Sequence, residues 1–226
     1  MNTYILLTQK AWHNKLFEDV KNIFPDFRWI LINTKENFNI ENIKKINPDK
    51  IFVPHWSYII DGKIYENYEC IVFHMTDLPF GRGGSPLQNL IVRGIEDTKI
   101  TALRVSDEID AGDVYLKRDL NLNGTAEEIF IRSSKIIFEM IQVIINDDIK
   151  PEKQIGEITC FKRRKPSDSA IMSLTKIEDV YDYIRMLDAE GYPRAFYENE
   201  NLKFEFSRAS LKSDNTIIAD VRIIQK

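Results

Sequence analysis

Residues 70–94 read Cys70-Ile-Val-Phe-His-Met-Thr-Asp-Leu-Pro-Phe-Gly-Arg-Gly-Gly-Ser-Pro-Leu-Gln-Asn-Leu-Ile-Val-Arg-Gly94. The run Cys70–Phe73 is apolar and β-prone, so a buried strand is expected there, ending at His74. A loop follows that contains Pro79, Gly81, Gly83 and Gly84. Pro86 then opens a short helix, with Ser85 in the N-cap position. An imidazole thus stands at the carboxyl end of a strand, opposite a glycine-rich turn into a helix. Open α/β sheets bind ligands at that end of their strands. The glycines allow close backbone approach and could offer amide N–H groups to an anion or a carbonyl oxygen. The lysine of a phosphate-binding loop is absent.

The sequence on either side alternates strand and helix. Tyr4–Leu7 and Arg28–Ile32 read as strands around an amphipathic helix over Ala11–Ile23. Asn39–Ile46 reads as a short helix. Lys50–Val53 reads as a third strand, closed by Pro54. This order predicts a helix-flanked, mostly parallel sheet. Strands are also expected over Lys99–Val105 and Val114–Leu120, joined by the tight acidic turn Asp110-Ala-Gly-Asp113. The capping box Thr125-Ala-Glu-Glu128 opens the longest helix, to about Asn146. Beyond Pro151 the pattern changes to an extended connection, a helix over Ile177–Leu187 and two alternating strands, Leu202–Ser207 and Thr216–Ile224. The expected domains are a core, residues 1–150, and a small α+β appendage, residues 151–226.

The 226 residues carry a net charge of −4, with 43% hydrophobic and 29% charged residues, an ordinary balance for a chain that builds its own core. Cys70 and Cys160 are the only cysteines. With no disulfide framework and no zinc spacing, the expectation is a reducing cytoplasm and no metal. The N-terminus lacks the basic flank of a signal peptide, and no apolar run approaches membrane-spanning length. A basic run, Lys162-Arg-Arg-Lys165, reads either as a solvated surface or as a phosphate contact.

His74 is a candidate general base. Asp110 is the carboxylate that could orient it, with Asp77, Asp107 and Asp113 as competitors.

His74-Met-Thr-Asp-Leu-Pro79, Arg82-Gly83, Pro86, Gly94 and Ile109-Asp110-Ala111-Gly112 together resemble the formyltransferase family. That family includes methionyl-tRNA formyltransferases and bacterial sugar N-formyltransferases. Phe161-Lys-Arg-Arg-Lys-Pro166 and Tyr192-Pro-Arg-Ala-Phe196 also resemble the sugar enzymes. The resemblance implies a Rossmann-like core that takes a formyl group from 10-formyltetrahydrofolate and passes it to an amine. It implies His74 and Asp110 as the catalytic pair. It puts Trp56, Tyr58, Leu78, Pro79, Gly81 and Asp107 beside the folate, and Arg82, Gly83, Gly84 and Ser85 beside the acceptor.

One position departs from the family. The asparagine expected two residues before the histidine, which binds the formyl oxygen, is Val72 here. His55, Ser57, Arg82 or loop amides would have to replace it. If none does, the chain is a catalytically impaired module that binds folate or a nucleotide sugar. A formyl-folate hydrolase on the same scaffold is a further alternative. The short, acidic chain argues against a nucleic-acid acceptor. The expected substrate is therefore a nucleotide-activated amino sugar, in glycan biosynthesis, with no membrane partner and with a homodimer left open.

Overall fold

The computed structural model describes residues 1–226. The strands are β1 (Thr3–Thr8), β2 (Arg28–Ile32), β3 (Lys50–His55), β4 (Glu69–His74), β5 (Arg82–Gly83), β6 (Asp97–Arg104), β7 (Val114–Asn121), β8 (Cys160–Phe161), β9 (Ala195–Glu198), β10 (Leu202–Leu211) and β11 (Ile217–Gln225). The helices are α1 (Asn14–Ile23), α2 (Ile40–Ile46), α3 (Gly62–Tyr65), α4 (Pro86–Ile91), α5 (Ala126–Asn146) and α6 (Ile177–Arg185). By contacts the chain forms two compact units. The first comprises residues 1–83, 98–120 and 131–160; the second comprises residues 84–97, 121–130 and 161–226. The second unit is thus larger than the expected appendage, because it takes in α4 and the start of α5. No helix is long and apolar enough to cross a membrane.

The first unit is built on the sheet of order β2-β1-β3-β4-β6-β7. β2, β1, β3 and β4 run parallel, and β6 runs antiparallel to β4. Every residue of β1 is buried, as expected of a central strand covered on both faces. Ile5, Leu7, Ile51, Val53 and Cys70 lie in one apolar cluster with Ile43 and Ile64. The adjacent positions Tyr4 and Phe52 bring their rings within 5.8 Å of each other. Cys70 is a packed thiol, its pKa pushed up to about 12 chiefly by burial.

Two local features differ from expectation. β3 does not stop before Pro54 but continues to His55. The register with β1 shifts between Leu6 and Thr8, so Pro54, which has no N–H to donate, falls at a bulge. The expected helix over Ala11–Ile23 opens as a 3-10 turn, Ala11–His13, before α1.

His13 is 1% exposed, and its Nδ1 lies 2.8 Å from Thr8 Oγ1. Burial first, then the nearby His55 and Lys10, lowers its pKa to about 3. The unfolded chain takes up this proton near pH 6.5 and the folded chain does not until about pH 3. Stability therefore falls with acidification across that window, by about 1.4 kcal/mol per pH unit from this residue. Denaturation of wild type and His13→Gln between pH 4 and 7 should show the variant with the shallower slope. Parallel slopes would contradict the buried neutral imidazole.

In the second unit, β9, β10 and β11 form an antiparallel sheet, against which α6 packs. The four-residue β9 follows Pro193-Arg194 and is too short to show a period of its own. Asp188 is buried and accepts the backbone N–H of Arg208 at 2.7 Å. α5 starts as its sequence requires. Thr125 N–H donates to Glu128 Oε2 at 2.7 Å, and Glu128 N–H donates to Thr125 Oγ1 at 3.3 Å, a capping box worth about 1 kcal/mol.

Candidate active site

β4 and β6 together position the site. Their register pairs Val72 with Leu103 and His74 with Thr101. After β6 the chain turns back on itself. Arg104 N–H donates to Asp113 O at 2.8 Å, and Asp110 sits in the left-handed region at φ 54°, which a non-glycine residue adopts at a cost. That turn delivers the Asp110 carboxylate to the end of β4. Its Oδ2 lies 3.5 Å from His74 Nδ1 and accepts the Gly83 N–H at 2.9 Å. Here the sequence pairing of His74 with Asp110 is realised in space. Asp107, by contrast, is exposed, and its carboxylate accepts only the next residue's N–H, that of Glu108, at 3.0 Å.

His74 is 7% exposed. Its Nε2 is 2.8 Å from Gly81 O. A carbonyl oxygen only accepts, so Nε2 carries a proton. The neutral ring then presents its lone pair at Nδ1, towards Asp110, and a second proton there completes an imidazolium–carboxylate pair. Nδ1 is thus the place where the site can hold or release a proton.

The loop from Thr76 to Gly83 is fixed almost atom by atom. Thr101, fully buried, donates to Thr76 O at 2.7 Å and accepts the Leu78 N–H at 3.4 Å. Lys117 binds Asp77 at 2.5 Å and also the Leu78 carbonyl. Leu78 is buried, and the Leu78–Pro79 peptide is cis. Phe80 N–H donates to Asp77 O, and both Gly81 and Arg82 N–H donate to Thr159 O. With Gly83 N–H on Asp110, every amide from residue 80 to 83 is occupied within the protein. The expectation that the glycine loop offers free N–H groups to a ligand is corrected. The glycines serve a tight corner, with Gly81 and Gly83 at φ 76° and 104°.

Arg82 directs its guanidinium to Gln154, with Nε 3.2 Å and Nη2 2.8 Å from Gln154 Oε1. Gln154 in turn donates from Nε2 to Asp110 O and Gly112 O, each at 2.9 Å. Gly112 has no room for a side chain, since a Cβ there would lie 1.8 Å from Arg104 O. Gly112→Ala is therefore expected to cost about 3 kcal/mol, at the upper end for overpacking. Equilibrium denaturation would measure it, and a variant within about 0.5 kcal/mol of wild type would contradict this reading of the turn.

Trp56 and Tyr58 follow β3, with ring centroids 5.4 Å apart. Trp56 is half-buried and meets Phe38, while Tyr58 is exposed, with Lys35 over its ring. Gly84 and Ser85 belong to the second unit. Ser85 precedes α4 but does not cap it. Its backbone is left-handed at φ 51°, and its hydroxyl accepts the Arg164 N–H at 3.1 Å. Thr101, Lys117, Thr159 and Gln154 were not singled out from the sequence. Thr101 and Lys117 look like ordinary strand residues, and Thr159 and Gln154 lie in the irregular connection.

Comparison with known proteins places this geometry. Residues 10–132 match the family described as formyl transferase, and residues 166–224 match the one described as methionyl-tRNA formyltransferase, C-terminal domain. A solved methionyl-tRNA formyltransferase from Clostridium thermocellum is 52% identical, with a TM-score of 0.97 and each chain covered in full. The curated methionyl-tRNA formyltransferase of Clostridium perfringens (strain SM101 / Type A) is 29% identical over 193 residues, which cover 80% of this chain. The match spans only 62% of that relative's length. A sugar N-formyltransferase from Shewanella sp FDAARGOS_354 is more distant, at 13% identity and a TM-score of 0.67, with 97% of this chain and 96% of that chain covered.

These findings overturn the expectation of a nucleotide-amino-sugar substrate in glycan biosynthesis, and with it that of no nucleic-acid partner. Both rested on short motif matches and on net charge, and an overall charge of −4 averages over faces of opposite sign. The formyl transferase match covers more than half of the sequence, including β4, the glycine loop and the Asp110 turn, and the chain belongs to the formyltransferase family.

Proposed function

We propose that the chain transfers a formyl group from 10-formyltetrahydrofolate to the α-amine of methionine carried on tRNA. Formyl-tetrahydrofolate is the donor the family uses. The 52%-identical relative, matched over its whole length, supplies the acceptor. The observation that carries the reading is the contact between His74 Nδ1 and Asp110 Oδ2 at 3.5 Å.

In the reaction the amine nitrogen attacks the formyl carbon. The bond from that carbon to N10 of the folate breaks. One proton leaves the amine and one reaches N10. His74 and Asp110 hold that proton at Nδ1 in transit, acting as general base and then general acid.

Negative charge develops on the formyl oxygen and needs a donor. Position 72 is valine, and the amides of residues 80–83 are occupied. Among the replacements considered, Arg82 supplies a fixed cation, with Nη1 free of protein partners. For the tRNA phosphates, Lys162, Arg163 and Lys165 are exposed, and such contacts position a nucleic acid without reading its sequence.

The test incubates the purified protein with 10-formyltetrahydrofolate and methionyl-tRNA, then weighs the released amino acid by mass spectrometry. Formylmethionine is the expected product. Formate release with no formylated amine would instead show a hydrolase and refute the proposal.

A further inference from the structure

We propose that Gln154 is a positioning residue, whose side-chain amide sets the Arg82 guanidinium and the Asp110 turn as one unit. The inference rests on the formyl-transfer reading of the site and adds a residue to it. Gln154 lies in the irregular connection after α5, outside the motif matches that carried the family resemblance.

Its amide is saturated. Oε1 accepts from Arg82 Nε and Nη2, and Nε2 donates to the carbonyls of Asp110 and Gly112. The orientation is unambiguous, because a guanidinium can only donate and a carbonyl can only accept. Asp110 is thereby held at both ends. Gln154 fixes its carbonyl, and Gly83 N–H fixes its carboxylate at 2.9 Å. A residue in the left-handed region needs such a hold, since its own backbone preference works against the conformation. The second carbonyl, that of Gly112, lies in the segment closed against Arg104. A change in the Gln154 side chain therefore reaches the His74–Asp110 contact through Asp110 and also releases the only side-chain acceptor of Arg82.

Two variants separate these links. Gln154→Leu removes both. Gln154→Glu keeps acceptors for Arg82 but sets carboxylate oxygen against two carbonyl oxygens. Misplacement of a reacting group by about 1 Å can cost a hundredfold, so Gln154→Leu is expected to lower kcat about tenfold to a hundredfold, with KM for the folate changed less than about threefold. Gln154→Glu should lower kcat to a similar extent. Independently of turnover, the ring 15N resonances of His74 should move in both variants, while the Arg82 Nε resonance should move only in Gln154→Leu.

Unchanged kcat together with unchanged His74 resonances in Gln154→Leu would overturn the inference. So would a loss of rate that tracks only the folded fraction while His74 stays as in wild type. If the wild type forms no formylmethionine, the formyl-transfer reading fails, and the resonance measurements decide the placement of Asp110 by Gln154 on their own.

Discussion

His74→Ala is expected to lower the rate of formyl transfer by about 10²–10⁴-fold, the usual range for removing a positioned acid–base group. The ring is buried at the end of β4, with Nε2 on Gly81 O at 2.8 Å and Nδ1 facing Asp110. Alanine takes away both the proton carrier and the brace on Gly81. Thr76 Oγ1 also reaches Gly81 O, at 3.3 Å, and Thr101 and Lys117 hold the rest of the loop. The variant should therefore fold and bind folate while losing kcat. Single-turnover rates with bound folate make the measurement. A rate within about threefold of wild type would remove His74 from the mechanism.

Val72→Asn is the second large effect, and its sign is opposite. Positions 72 and 74 point to the same face of β4 because strand side chains alternate. Val72 is half-buried against the apolar cluster that contains Val53. An amide there stands where the family resemblance puts its asparagine. One preorganised oxyanion donor is worth on the order of a hundred- to a thousandfold in kcat, and the substitution, which adds a second donor beside the Arg82 cation, should raise kcat towards the lower end of that range. It should also destabilise the fold by about 1–3 kcal/mol, since a polar group enters a partly apolar site. Paired kinetic and denaturation measurements separate the two effects. A stable variant with unchanged kcat would show that the formyl oxygen already has a full set of donors.

Much of this site can be read from residues 70–94 and 109–112 without coordinates. A strand that ends in an ionisable ring and an acidic turn that closes an adjacent strand are local patterns, and β4 pairs with β6 so that they meet. The occupation of the loop amides cannot be read in that way. The acceptor of two of them, Gly81 and Arg82, is Thr159 O, which comes from the irregular connection far along the chain. Gln154 is hidden for the same reason, as one polar residue in a segment without period.

Ser85 shows a different failure. Its sequence context is that of an N-cap, but a left-handed backbone takes its hydroxyl to Arg164 instead. Pro54 reads as a strand terminus because it has no N–H to donate, but a bulge relieves that pairing rule and β3 continues to His55. Net charge is a poor guide to a polyanionic acceptor because it sums over the whole chain, whereas Lys162, Arg163 and Lys165 sit exposed together.

The central claim is that His74 and Asp110 act as one proton-carrying unit, and a double-mutant cycle on kcat tests it most directly. Residues that work as a unit are non-additive, so removing both costs little more than removing one. His74→Ala combined with Asp110→Asn should therefore be within about threefold of the slower single variant. A double variant slowed by the product of the two single effects would show that the residues act independently and would contradict the account.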